Sequence, residues 1–153
     1  GKGVDDVEIQ YATKADLEKV VPLFQGYLQF YGRQFEEQEV VTFIKKRLTN
    51  DDAIILYAEH EGKAIGFTQL YPSFSSLALK RAYILNDLFV EESHRKLGAA
   101  RALMEEAFVF CEQMGAAYIT LETHPDNVAA QKLYEDIGMQ RDDEYWHYTK
   151  EFK

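Results

Sequence analysis

Cysteine is almost absent from this chain, because Cys111 is the single one among 153 residues. A lone cysteine excludes an internal disulfide and a cysteine-based metal cluster, and it favours a reducing compartment. Long apolar runs are also missing: no segment approaches the roughly 18 apolar residues of a membrane span, and the first residues lack a signal-peptide apolar region. We therefore expect a soluble, cytoplasmic protein without a membrane partner.

Basic residues are scarce as well. The chain has 17 Lys and Arg against 26 Asp and Glu, which gives a net charge of −9. This charge argues against nucleic-acid binding and mildly favours cationic partners, although an ordinary solubility charge explains it equally well. Internal repeats, low-complexity tracts and linkers are absent, so the composition predicts one domain over residues 4–152.

Strand and helix patterns alternate along the chain. Period-2 or continuous apolar patterns predict strands at 7–11, 54–59, 64–71, 83–90, 118–123 and 144–150. Helical spacing predicts helices after Thr13, over 36–48, after Gly98 and over 128–137. The fold class is therefore α/β (α+β), in the order β-α-α-β-β-β-α-β-α-β. We expect a mixed, largely antiparallel sheet of about six to seven strands flanked by about four helices.

The stretch HRKLGAARALM, residues 94–104, follows the apolar strand 83–90 and turns into a helix. Free N–H groups at a helix start and the helix dipole form an anion site, for which phosphate is a suitable guest. Gly98 removes a side chain where phosphate approaches the backbone, and small residues follow it. Alone, this pattern fits a purely structural turn equally well. The residues concerned are Arg95, Lys96, Gly98, Ala99, Ala100 and Arg101.

A longer set of features surrounds this junction. The apolar strand ends in LNDLFV, Arg95-x-x-Gly98-x-Ala100 opens a helix, YITLET forms a short strand, and Asn127 precedes Tyr134 by seven residues. In this order and spacing, residues 82–139 resemble the GNAT superfamily of N-acetyltransferases. The stretch 71–90 is most similar to the small polyamine, diamine and histone acetyltransferases.

The resemblance implies acetyl-CoA as cofactor and a role for each matching position. The pantetheine arm pairs with a strand backbone, the pyrophosphate sits on the amides of residues 96–101, and Asn127 binds the pantetheine. Tyr134 faces the thioester sulfur and protonates the departing thiolate. The alternative for Asn127 is a helix N-cap, and for Tyr134 a core tyrosine. The backbone positions implied for pantetheine are Leu88, Phe89 and Val90.

Acetylation of an amine also requires loss of a proton, because an alkyl amine with a pKa of about 10.4 is charged at pH 7. Asp87, a carboxylate in a buried strand, is the first candidate for the base, and Glu122 is the second. The spermidine/spermine enzymes carry a Glu-Asp pair where this chain has Asn86-Asp87, so Asp87 could instead anchor the amine while water carries the proton. A structural role for either acid stays open.

The predicted function is transfer of acetyl from acetyl-CoA to a primary amine, a polyamine, diamine or other small cationic amine, by direct attack in a ternary complex. The alternatives are a non-catalytic acyl-CoA-binding or protein-interaction module and a protein or peptide N-acetyltransferase. No metal site is predicted, because His94 and His124 lack metal-ligand spacing. The aromatic strand predicted at 144–150 favours a homodimer.

Overall fold

The computed structural model describes residues 6–153. They form two compact units, one ending at Glu122 and the other comprising Thr123–Lys153. Whether both belong to a single domain over residues 4–152 stays a prediction, and residues 4 and 5 lie outside the described residues. No helix in the described part is both long and apolar enough to cross a membrane.

The first predicted helix begins at Thr13. The Thr13 hydroxyl accepts from the Ala15 amide while the Asp16 carboxylate accepts from the Thr13 amide, which closes a capping box around a 3₁₀ turn, Lys14–Asp16. Helix α1, Leu17–Phe30, follows directly. It buries one face, which consists of Val20, Val21, Leu23 and Phe24.

Helix α2, Glu37–Asn50, matches the helical period predicted over residues 36–48. Glu36 and Glu39 form its capping box, and the chain leaves the helix at Asp51 in a left-handed conformation with φ of 53°. Val40 and Ile44 point to the core, one turn apart, so this helix buries a narrow stripe beside α1.

Five strands form one sheet in the order β1-β2-β3-β4-β5. The first four are antiparallel neighbours, and β5 is parallel to β4. The prediction of a mixed, largely antiparallel sheet with flanking helices is confirmed. Six to seven strands were expected, and the described residues contain five. The strands are β1 Glu8–Tyr11, β2 Ile54–His60, β3 Lys63–Ser75, β4 Lys80–Val90 and β5 Ile119–Thr120.

Helix α3, Ala99–Gln113, lies against β2, β3 and β4 and buries Leu103, Met104 and Ala107 completely. On β2, the Tyr57 side chain belongs to the hydrophobic cluster formed with α1 and α2. The side chain of its neighbour Leu56 is fully buried as well. Successive strand side chains point to opposite faces, so β2 is covered on both faces.

The second unit contains helix α4, Val128–Asp136, close to the predicted 128–137. Gly138, with φ of 101°, follows its end. The strand predicted over residues 144–150 is wrong, since the structure has no strand there. Alternating aromatic residues favour an extended chain, but a strand also needs a backbone partner, which the alternation does not supply.

Candidate active site

The end of β4 has an open backbone edge. Strand β4 pairs with β3 along its length, yet with β5 it pairs only at Tyr83 with Ile119 and Ile84 with Thr120. Within the described part of the chain, residues 85–90 therefore have no strand partner on the β5 side. An extended ligand with amide groups can pair with such an edge in the manner of an added strand. Leu88, Phe89 and Val90 lie on it.

A β-bulge interrupts β4 just before this edge. Gln69 is opposite Asp87 and Leu70 is opposite Leu85, so Asn86 is the extra residue. Neighbouring strand side chains normally point to opposite faces, but here Asn86 Nδ2 donates to Asp87 Oδ1 at 3.1 Å. The bulge thus brings an amide donor to a carboxylate that is only 4% exposed.

Polar groups from three elements surround Asp87. Gln69 Nε2 on β3 donates to Asp87 Oδ2 at 2.7 Å. Burial, followed by interaction with Asp87, raises the pKa of Tyr27 on α1 above its ordinary value. Burial and the Asp87 charge also raise the pKa of Tyr71 to about 12. Both hydroxyls therefore stay protonated at neutral pH beside the carboxylate.

Asp87 has no basic counterpart among the residues that the structure describes. Among residues 6–153, no Lys, Arg or His side chain forms an ion pair with it. A buried charge without an opposite charge is costly, and hydrogen bonds offset only part of that cost. The surroundings of Asp87 therefore suit a cationic ligand.

A helix N-terminus follows the open edge. A 3₁₀ helix, Glu92–Leu97, leads to Gly98, which has φ of 76° and caps α3. A Cβ at Gly98 would meet nothing within 4 Å, so the space in front of the helix is open. The first bond within α3 runs from Ala102 N–H to Gly98 C=O at 3.0 Å, so α3 offers no acceptor to the three preceding amides. We call Gly98 and the amides of Ala99, Ala100 and Arg101 the anion cradle.

Basic side chains lie around the anion cradle. Arg95 Nε donates to Val90 C=O at 3.2 Å, which connects the segment before the anion cradle to the end of β4. Lys96 is exposed. Arg101 Nε pairs with Glu105 Oε1 at 2.6 Å, and both side chains are about half exposed. The side chain of Ala99 is fully buried, so Ala99 offers only its amide to a ligand.

Glu122 is not part of the hydrogen-bonded group around Asp87. It is exposed, beyond the end of β5, while the amides bound to Asp87 come from Gln69 and Asn86. Its role as second candidate for the base stays a prediction, and neither of those hydrogen bonds joins Glu122 to Asp87.

The remaining two predicted residues lie in the second unit. Asn127 caps α4, because its Oδ1 accepts from the Ala130 amide at 3.2 Å. Tyr134 is half-buried within α4, and its carbonyl accepts from the Met139 amide at 2.9 Å. The N-cap alternative for Asn127 is therefore confirmed, and its ligand role stays a prediction.

Gln69 was missed by sequence reasoning. The only signal was a polar pair, Thr68-Gln69, inside the apolar strand predicted at 64–71. Strand periodicity does not reveal which residue a buried amide faces, because that depends on pairing with β4 across the bulge.

Comparison with known proteins decides the family. A family model described as Acetyltransferase (GNAT) family matches residues 20–139. The chain belongs to this acetyltransferase family. An uncharacterized N-acetyltransferase of Bacillus subtilis, YhfO, is 43% identical over 142 residues, which are 93% of this chain and 95% of that protein.

Solved structures agree with this family. A crystal structure of a probable acetyltransferase has a TM-score of 0.89 at 38% identity and covers 95% of this chain and 98% of its own. An aminoglycoside N-acetyltransferase in complex with CoA shares the fold, with a TM-score of 0.78 at 21% identity and 95% coverage of each chain.

As a member of the GNAT family, the protein is an acetyl-CoA-dependent N-acetyltransferase. Its own residues fit that cosubstrate: the open space at Gly98 and the cradle amides suit the phosphates, and the unpaired edge of β4 suits the amide-bearing arm. Acetyl-CoA supplies the acetyl group as a thioester. Among residues 6–153, no three His, Cys, Asp or Glu side chains are grouped to hold a metal ion.

Proposed function

We propose that this acetyltransferase acts on a small cationic primary amine, with a polyamine or diamine as the leading class, by direct attack in a ternary complex. The observation that supports this acceptor class is Asp87, a carboxylate 4% exposed that pairs with no basic side chain in the described part of the chain. An ammonium group provides the missing positive charge and up to three donors.

A row of aromatic side chains at the C-terminal end of α1 leads from Asp87 to solvent. The Tyr27 and Tyr31 ring centroids are 5.0 Å apart, and those of Phe30 and Tyr31 are 5.3 Å apart. Phe30 and Tyr31 are 65% and 62% exposed, so this row runs from a buried carboxylate to solvent. Aromatic faces attract cations and also suit aliphatic stems, which are the two parts of a polyamine.

Asp87 fits the role of amine anchor better than the role of base. Each of its carboxylate oxygens already accepts a hydrogen bond from an amide, Gln69 Nε2 or Asn86 Nδ2. These donors occupy lone pairs that a base would use to accept the amine proton, and the hydroxyl of Tyr27 lies beside the carboxylate as a further donor. We therefore assign ammonium binding to Asp87 and removal of the amine proton to water, with Glu122 as the alternative base.

We assign protonation of the leaving thiolate to Tyr134, because its spacing from Asn127 resembles that in the GNAT superfamily. A covalent acyl intermediate on Cys111 is not part of the proposal. Cys111 is buried in α3, and burial raises the pKa of its thiol to about 11, so the nucleophilic thiolate is scarce at neutral pH.

A panel of amines tests the proposed acceptor. Thiol release from acetyl-CoA is followed with polyamines, diamines, monoamines of equal length, an aminoglycoside and a peptide with a free lysine. We expect the highest kcat/KM with the diamines or polyamines, and a loss of that preference in Asp87→Asn. Glu112→Gln is the matched control, since it neutralises an exposed acid near the C-terminal end of α3, away from the anion cradle, and should retain the preference. Highest kcat/KM with the peptide, or a preference unchanged in Asp87→Asn, would contradict the proposal.

A further inference from the structure

The buried polar side chains of the sheet form one group. Apart from tyrosines, the polar side chains buried within residues 6–153 are Thr68, Gln69 and Asp87, with exposures of 0%, 0% and 4%. Thr68 Oγ1 donates to the Asp87 main-chain carbonyl at 2.8 Å, and Gln69 Nε2 donates to its carboxylate at 2.7 Å. Two consecutive residues of β3 thus hold both the backbone and the side chain of Asp87.

Gln69 occupies a position that otherwise suits an apolar side chain. Its sequence neighbour Leu70 and the nearby Phe67 are fully buried. Gln69 Oε1 is buried without a hydrogen-bond partner in the described part of the chain, which is unfavourable for folding. Leucine or methionine would avoid this cost but would leave Asp87 Oδ2 without its amide donor, so the glutamine is matched to the carboxylate.

The β-bulge explains why Gln69 reaches Asp87. The two residues are opposite each other, and the extra residue Asn86 marks the point where the register shifts. An ionised carboxylate only accepts and an amide N–H only donates, so the Gln69 amide has one useful orientation toward Asp87. Gln69 therefore fixes the position of the Asp87 carboxylate oxygen that accepts its hydrogen bond.

We infer that Gln69 is a positioning residue for acetyl transfer, which holds the Asp87 carboxylate in place for the acceptor amine. The inference rests on the proposed function, in which Asp87 binds the ammonium group. Gln69 itself is buried and acts through Asp87.

The first test is Gln69→Met, which keeps the side-chain length and removes the donor. The Asp87 carboxylate then loses a hydrogen bond, which should weaken binding of the amine by about tenfold. The KM for the amine at neutral pH should rise about 10-fold, and the KM for acetyl-CoA should stay unchanged. Gln69→Asn, which keeps an amide with shorter reach, should also raise the KM for the amine and carries the test if Gln69→Met does not fold.

Two further variants separate positioning from a structural role. Thr68→Val removes the bond to the Asp87 carbonyl and should lower stability without raising the KM for the amine. In an Asp87→Asn background, Gln69→Met should have no further effect on amine kinetics, since the two residues act as one unit.

The outcomes distinguish this inference from the proposed function. If Asp87→Asn changes amine kinetics while folded Gln69 variants leave the KM for the amine unchanged, or if the two effects add fully, Gln69 is not a positioning residue. If Asp87→Asn itself leaves amine kinetics unchanged, the proposed role of Asp87 is wrong and the inference about Gln69 falls with it.

Discussion

Asp87 is the one charged side chain that is buried within residues 6–153, and its role can be tested by charge removal. Asp87→Asn keeps the shape of the side chain and removes its charge. We expect the KM for the amine to rise about 10- to 100-fold, because one interaction between charged groups is lost. If Asp87 binds the ammonium group, this rise should appear at every pH. Recovery of the rate as the pH approaches the amine pKa, measured in a pH series of initial rates, would indicate a base instead.

Tyr134 offers a test of proton donation to the leaving thiolate. Tyr134→Phe keeps the ring and removes the donor, so kcat should fall by about 10²–10⁴. The affinity for acetyl-CoA, measured by calorimetry, should change little, since binding and proton donation are separate tasks. Wild-type kcat in this variant would leave Tyr134 with a packing role alone.

The raised tyrosine pKa values also predict how stability depends on pH. Burial raises the pKa of Tyr71 and of Tyr11 to about 12, from an ordinary value of 10. Their stabilising contribution is complete below pH 10 and is lost as the pH rises toward 12, because the unfolded chain ionises first. Urea denaturation in a pH series should therefore show stability that is constant below pH 10 and falls between pH 10 and 12. Tyr71→Phe should reduce the slope, and an unchanged slope would contradict this assignment.

At the scale of elements, helix α3 offers matched positions at its two ends. Gly98 and Gly115 are both exposed, with φ of 76° and 69°, and a Cβ at either would meet nothing within 4 Å. Glutamate is equally strained at both, but only Gly98→Glu places a negative charge at the helix N-terminus where phosphate is proposed to bind.

We expect acetyl-CoA to stabilise wild type and Gly115→Glu by about 2.7 kcal/mol at a hundredfold excess over Kd. Gly98→Glu should show no such stabilisation, and thermal unfolding with and without acetyl-CoA measures the difference. Equal stabilisation of both variants would place the phosphates away from the anion cradle.

At the scale of the whole molecule, assembly remains a proposal. In the second unit, Tyr145, Trp146 and Tyr148 are 70%, 84% and 90% exposed, more aromatic surface than scattered single residues explain. We propose a homodimer that covers these side chains. Light scattering at micromolar concentration should give about twice the 17.7 kDa of one chain. Trp146→Ser should shift the mass toward one chain, whereas a wild-type mass of one chain would refute the dimer.

Local signals in the sequence determined most of the secondary structure. The capping box at Thr13 and the glycines at 98 and 115 mark helix ends through backbone preferences that need no distant partner. Helical spacing of apolar residues located all four helices, since a helix closes its hydrogen bonds within itself. The junction around Gly98 could be predicted for the same reason.

Only the tertiary structure decided which strands pair and what Asp87 touches. The alternation over 144–150 resembled a strand, yet strands exist only through partners that lie far away in sequence. In the same way, the bulge at Asn86 determines that Gln69 lies opposite Asp87, although 18 positions separate them. A shift of one residue in that register would turn Gln69 to the other face of the sheet, because side chains alternate along a strand.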